Sequence, residues 1–320
     1  MMENEKKYSL LRNEIGNYIQ NLGEKNDKVV VVNADLMGTC RNTSFVNKFP
    51  CRSFNVGIAE QNMISFSAGL ATEGFIPYAF SMAPFISMRA CEQCRTDVAY
   101  GNLNVRLIAT YAGCSGGISG ATHWAIEDVA IMNSIPNMVV LEPCDAIQTK
   151  KMLDASLEYA GPIYMRSTIE PVLDVYDEDY KFEMGKASIV RNGDDGAFIC
   201  SGITVQFALE AAERIFNETK KSIRVIDMHT IKPIDREAII SAAKTGCVIV
   251  AHDHNIKGGL GQIVASVIVE EGLSVKFKSL GFKDEFVAMA HAQYLYREYE
   301  YDAEGLYKNM MKIQESMKNE

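Results

Sequence analysis

Short runs rich in β-branched residues alternate along the chain with longer stretches whose apolar positions recur every three or four residues. That is the pattern of a parallel sheet covered by helices on both faces. In the first half, the spacing predicts strands over 28–32, 75–79, 105–110, 138–141 and 162–165, and helices over 58–73, 85–100, 125–134 and 145–159. Together they make one doubly wound α/β domain over residues 1–168, of ordinary domain size. From Thr168 the chain runs TIEPVLDVYDEDYKFE, acidic and aperiodic, so a linker is expected over 169–184. A second α/β domain over 185–320 follows, with strands over 197–200, 223–226, 248–251 and 275–279 and helices over 207–216, 236–243, 261–271 and 301–317. No internal repeat or low-complexity tract interrupts the series.

Composition narrows the function classes. The 320 residues are 48% hydrophobic and 23% charged, enough core for two domains, which excludes disorder, a collagen repeat and a disulfide-stapled miniprotein. A net charge of -9 with no basic run opposes a phosphate backbone or an anionic lipid surface, so neither nucleic acid nor membrane is expected as a partner. No apolar stretch reaches the length of a membrane span and the opening residues lack the apolar segment of a leader, which predicts a cytoplasmic protein. Eight scattered cysteines are accordingly expected to be reduced thiols. Only Cys91 and Cys94 form a CxxC, and with no second pair they are read as helix packing, with no metal site.

Residues 54–74, FNVGIAEQNMISFSAGLATEG, carry the strongest chemical signal. Gly57 leads into a helix whose sides are nearly all small or apolar, so Glu60 enters a buried first turn. A carboxylate isolated from water needs a donor, a cation or a proton. The residues leave two readings: an acid that complements the positive end of the helix, or a carboxylate set to hydrogen-bond a ring nitrogen of a bound cofactor. Elsewhere, Val264 replaces the third glycine that a dinucleotide loop would have in GGLGQIV, and a strand-to-helix turn is expected there. His252 and His254 in VAHDHN lack a third ligand in register and are read as strand-end packing.

In order along the chain, GIAEQNM, SAGLATEG, PYAFSMAPFISMRACEQ, GCSGGISGATHWAIEDVA and IPNMVVLEPCD resemble the pyrimidine-binding domain of transketolases, and the likeness continues through YMRS. VIDMHTIKPID, VIVAHDHNIKGGLGQIVASV and YDAEGLY are similar to that family's C-terminal domain. The resemblance implies two doubly wound α/β domains and a transferase that moves a two-carbon ketol unit from a ketose to an aldose on thiamine diphosphate. It implies that Glu60 bonds N1′ of the aminopyrimidine and favours the tautomer that generates the ylide, and through it the enamine. By the same likeness Phe85 stacks on the pyrimidine, while Asp35 and Leu36 lie beside the cofactor at a subunit interface. His123 would face the thiazolium and the substrate hydroxyls as a proton relay, and Arg166 would hold the substrate's terminal anion.

This family binds the diphosphate through Mg²⁺ with a GDG motif and an Asn about thirty residues later, on a separate domain. No GDG occurs in this sequence, and GDDG at 193–196 has no suitable Asn after it. An N-terminal, diphosphate-binding subunit that also supplies most Mg²⁺ ligands is therefore expected. With two copies of this chain pairing through the 58–73 helix, the assembly would be a heterotetramer. Departures gather around the substrate: Tyr111 stands where many members have histidine, Ser119 where an aspartate is usual, Ile118 for an acid and Trp124 for glutamine. With Arg166 and His123, Tyr111 and Ser119 make the expected substrate set for a ketose phosphate or sulfonate; the departures suggest a sulfosugar or a branched ketose phosphate, with a terminal sulfonate expected to be preferred over the usual sugar phosphates. The residues leave open a β subunit of a 2-oxo acid dehydrogenase, a deoxyxylulose-phosphate-synthase-like enzyme, and a non-catalytic paralogous subunit.

Overall fold

A computed structural model describes residues 8–318 of the chain. Eight strands lie in its first half: β1 (Tyr8–Ser9), β2 (Val29–Asn33), β3 (Ser53–Asn55), β4 (Ile76–Met82), β5 (Arg106–Thr110), β6 (Val139–Leu141), β7 (Ile163–Ser167) and β8 (Val172–Leu173). Six follow: β9 (Ser188–Arg191), β10 (Ala197–Cys200), β11 (Arg224–Asp227), β12 (Thr230–Lys232), β13 (Cys247–Asn255) and β14 (Lys276–Phe282). The larger sheet has the order β12-β6-β7-β5-β4-β2-β3, parallel throughout except for β12. The smaller has the order β14-β13-β10-β11-β9, with only β9 antiparallel. Both are doubly wound α/β sheets, the architecture expected.

Alternation along the strands explains why each sheet is covered twice. In β2, Val29 and Val31 face a core shared with Ile15, Ile19 and Leu22, while Val32 faces one shared with Met63 and Ile64. Central strands buried on both sides read as unbroken apolar runs for this reason. The helix Leu11–Lys25 was absent from the expected elements although Leu11, Ile15, Ile19 and Leu22 carry its spacing. The stretch expected as one helix over 85–100 is wound in π-helical turns at Phe85–Arg89 and Cys94–Ala99, with three α-helical residues between.

Two features stitch the halves together. Strand β12, from the second half, extends the first sheet beside β6, and Lys232 Nζ donates to the carbonyls of Asn133 (2.8 Å) and Ile135 (2.6 Å) at a helix end. The acidic connecting stretch is also fastened. Val172–Leu173 pairs with Tyr8–Ser9, and the amides of Val175 and Tyr176 donate to Asp145 Oδ2 at 2.8 and 2.7 Å.

Candidate functional site

In open α/β sheets, ligands meet the carboxyl ends of the parallel strands. Four adjacent strand ends of the larger sheet carry the residues singled out in the sequence: Asp35 and Leu36 after β2, Glu60 after β3, Phe85 after β4, and Tyr111, Ser119 and His123 after β5. Glu60 opens the helix Glu60–Thr72 and is 2% exposed. Its Oε2 accepts from Arg89 Nη1 at 2.8 Å, and the Arg89 guanidinium lies 4.2 Å from the centre of the Phe85 ring. Phe85 in turn meets the His123 ring edge-on, with centroids 5.6 Å apart. The structure thus brings Glu60, Phe85 and His123 into one contiguous cluster through an arginine that sequence reasoning missed. Arg89 belongs to the same π-helical turn as Phe85, a wide turn that sets residues four and five apart on one face.

Asn55 was also missed. Its Oδ1 accepts from the amides of Asp35 (3.1 Å) and Gly57 (3.0 Å), which ties the Asp35–Leu36 turn to the entry of the Glu60 helix. Asp35 itself is exposed and left-handed, with φ at 64°. Tyr111 and Ser119 share the loop of His123, and Ser119 is exposed on a 3₁₀ turn. His123 Nδ1 lies 2.9 Å from Thr122 Oγ1. Trp124, which follows His123, is buried away from this surface. It is 2% exposed in an apolar core with Phe198 and Tyr301 of the second domain.

Arg166 needs a larger correction. Its side chain is completely buried, Nη1 lies 2.9 Å from Glu142 Oε1 and 2.8 Å from His252 Nε2, and Nε lies 2.9 Å from Asp128 Oδ2. Nη2 donates to the carbonyls of Ala125 (3.2 Å) and Asp253 (3.1 Å). A guanidinium so enclosed is satisfied by the protein's own carboxylates and has no face for a substrate anion. Burial alone would raise the Glu142 carboxyl, but Arg166 and His252 hold it down at about 2. Burial dominates at Asp253 and pushes it up to about 6. His252 and His254 are buried beside this network, an interdomain form of the packing expected of them. Signals existed in the sequence: LEPCD and VAHDHN each end an apolar strand in charge.

Gly259 precedes the helix Leu260–Glu270, so GGLGQIV is the strand-to-helix turn expected. Among the described residues no cluster of His, Cys, Asp and Glu could hold a metal ion, and no helix is long and apolar enough to cross a membrane. A buried carboxylate, an aromatic face and an imidazole in contact fit a flat heterocycle with a basic ring nitrogen, so Glu60, Phe85 and His123 could hold the aminopyrimidine of thiamine diphosphate.

The family model "Transketolase, pyrimidine binding domain" matches residues 10–170, and "Transketolase, C-terminal domain" matches 185–306. A Methanocaldococcus jannaschii protein described as "Putative transketolase C-terminal section" is 42% identical over 315 residues, covering 98% of each chain. The 6-deoxy-6-sulfo-D-fructose transketolase subunit of Clostridium sp. strain MSTE9 is 37% identical over 89% of this chain and 88% of its own length. A solved structure described as a split gene transketolase, inactive β4 tetramer, superposes with a TM-score of 0.87 at 38% identity, over 95% of this chain and 97% of its own. Because the similarity runs through both domains in order and not through one motif alone, this chain belongs to the transketolase family, as its pyrimidine-binding and C-terminal section.

Proposed function

We propose that this chain is one subunit of a two-polypeptide transketolase that transfers a two-carbon ketol unit from a ketose to an aldose. The observation that carries this reading is the buried Glu60 carboxylate in a contiguous cluster with Phe85 and His123 at adjacent strand ends, in a sequence without GDG. Thiamine diphosphate, when bound, supplies the carbon nucleophile that keeps the two-carbon fragment between donor and acceptor. Glu60 would fix the pyrimidine and favour its proton-abstracting tautomer, Phe85 would stack on it, and His123 would exchange protons with substrate hydroxyls. Asp35 and Leu36 would border the cofactor. Its diphosphate and Mg²⁺ would be held by the N-terminal partner subunit.

Ile58 and Phe66, 77% and 36% exposed on and beside the Glu60 helix, support pairing of two copies along this face and hence a heterotetramer. Eight free cysteines suit a reducing, cytoplasmic compartment. Residues 111–124, YAGCSGGISGATHW, contain no lysine, arginine or carboxylate. Tyr111 and Ser119 offer neutral hydroxyls only, and with Arg166 withdrawn this loop brings no lysine or arginine to compensate a dianion. That favours a ketose with a singly charged sulfonate terminus over a sugar phosphate.

Reconstitution tests the reading. The chain with thiamine diphosphate and Mg²⁺ should be inactive alone and active once a GDG-bearing subunit is added, with 6-deoxy-6-sulfofructose giving a higher specificity constant than fructose 6-phosphate. Ketose turnover by this polypeptide alone would refute the two-subunit reading, and a ratio favouring the phosphate would refute the sulfonate. Carbon dioxide release from a 2-oxo acid, without ketol transfer, would move the assignment to the dehydrogenase β subunits.

A further inference from the structure

The loop that carries Ser119 and His123 is built almost without anchors of its own. Gly113 and Ala125 close its base by pairing in both directions, at 3.0 and 2.9 Å. Between them lie four more glycines or alanines, and the buried apolar side chains, Cys114 and Trp124, sit at the two ends, so the stretch 115–123 takes its shape largely from what packs against it. Much of what touches it comes from the second domain. Asp253, at the end of β13 and 2% exposed, accepts from the Cys114 amide through Oδ1 at 3.1 Å and from the Tyr301 hydroxyl at 3.0 Å. Gly113 is left-handed, with φ at 64°, and a Cβ there would lie 2.1 Å from Asp253 Cγ, so the loop backbone rests directly on the carboxyl. Arg166 Nη2 then bonds the carbonyls of Ala125 and Asp253 together, locking the loop's other edge to the same residue. Farther along, Glu170 accepts from the Gly116 amide at 3.1 Å and from Gln293 at 3.0 Å, and Gly117 packs against the backbone at Ala290.

We propose that Asp253 is a positioning residue: it fixes the 113–125 loop, and so the placement of His123 and Ser119 against the substrate, from a domain that contributes no group to the site itself. The inference rests on the reading of that loop as substrate-facing, and extends it by giving the second domain a task in the reaction. The arrangement is costly. Asp253 Oδ2 is buried with no hydrogen-bond partner, and burial raises this carboxyl to about 6. Beside the nearby Arg166 guanidinium, a carboxylate kept under those conditions makes the bond it accepts from the Cys114 amide charge-assisted.

Hydrogen exchange on the purified chain tests the clamp without any partner or substrate. In Asp253→Ala, amides of residues 113–125 should exchange roughly tenfold or more faster, the equivalent of one lost charge-assisted hydrogen bond, while residues 54–74 stay as in wild type. Asp253→Asn, which keeps an acceptor of the same shape, should restore most of the protection. In the reconstituted enzyme, Asp253→Ala should raise the ketose KM by about tenfold and lower kcat, with thiamine diphosphate affinity unchanged, and Asp253→Asn should recover both. If the alanine variant fails to fold, Tyr301→Phe reads the same contact by removing one donor to Oδ1, and faster exchange confined to 113–125 is expected. Unchanged exchange over 113–125 in the folded variant, or a fall in kcat with an unaltered KM, would overturn the proposal. Loosening of the loop without any change in ketose kinetics would overturn its part in the reaction and put the substrate-facing reading of the loop in question, while leaving Glu60 and Phe85 unaffected.

Discussion

Glu60 is paired with Arg89 Nη1 at 2.8 Å and is nearly inaccessible to water. Replacing it with glutamine keeps the shape and the hydrogen bond to Arg89 but removes the charge that favours the imino tautomer. Glu60→Gln in the reconstituted enzyme should lose on the order of a hundredfold or more in turnover, with little change in melting temperature. Turnover at saturating thiamine diphosphate is the measurement. Phe85 is only half-buried, between the Arg89 guanidinium at 4.2 Å and the His123 ring at 5.6 Å. Phe85→Ala should weaken cofactor binding by up to about tenfold, the worth of one aromatic stack, with turnover partly restored by excess cofactor; a binding titration reads it. At this scale the sequence was informative where a residue's position follows from its own element. Local pattern placed Glu60 in a buried helix start and Phe85 at the opening of another helix, while the cofactor roles expected of both came from the family resemblance. Arg89 could not be placed in this way, because its meaning lies in two contacts that exist only once the turn widens.

At the scale of elements, β7 and β13 end in the charges that join the two halves. Arg166 lies in β7, Glu142 follows β6, and His252 and Asp253 close β13. Removing the Arg166 guanidinium takes the main counter-charge from a buried set of carboxylates, Asp128, Glu142 and Asp253. Arg166→Ala should therefore destabilise the chain by roughly 3–5 kcal/mol, read as a shift of the urea midpoint at constant m-value. An arginine serving only a substrate anion would leave stability untouched and change kinetics alone. The anion site expected at YMRS was implied by the family resemblance, not read from the residues around Arg166. Its burial depends on residues 24 and 86 positions away, a separation that no local period encodes.

At the scale of the whole molecule, a second buried acid marks the seam. Asp227 Oδ2 accepts from Gln148 Nε2 at 2.6 Å and Tyr176 Oη at 2.8 Å, so first domain, connecting stretch and second domain meet on one carboxylate. Burial pushes Asp227 up to about 7, and these donors only partly offset it. Between the ordinary carboxylate range and pH 7 the folded chain holds a proton that the unfolded chain has lost, so this group's contribution to stability falls as pH rises through that window. Asp227→Asn carries no charge, and its stability relative to wild type should rise by about 1 kcal/mol from pH 6 to pH 8, followed by paired denaturant titrations. Comparison with the variant isolates this group from His229, which burial lowers to about 4 and which titrates with the opposite sense. The sequence by itself determined the α/β class, most strands and helices, and the helix that bears Glu60, because side-chain periods of two and three to four are local properties that sorting by burial makes visible. Only the tertiary structure decided that Arg166 is an internal counter-ion, that β12 leaves its own half to extend the first sheet, and that Asp253 sits on the His123 loop. Each depends on which buried charges and backbone groups find one another across long separations, and that choice is made by packing, not by period.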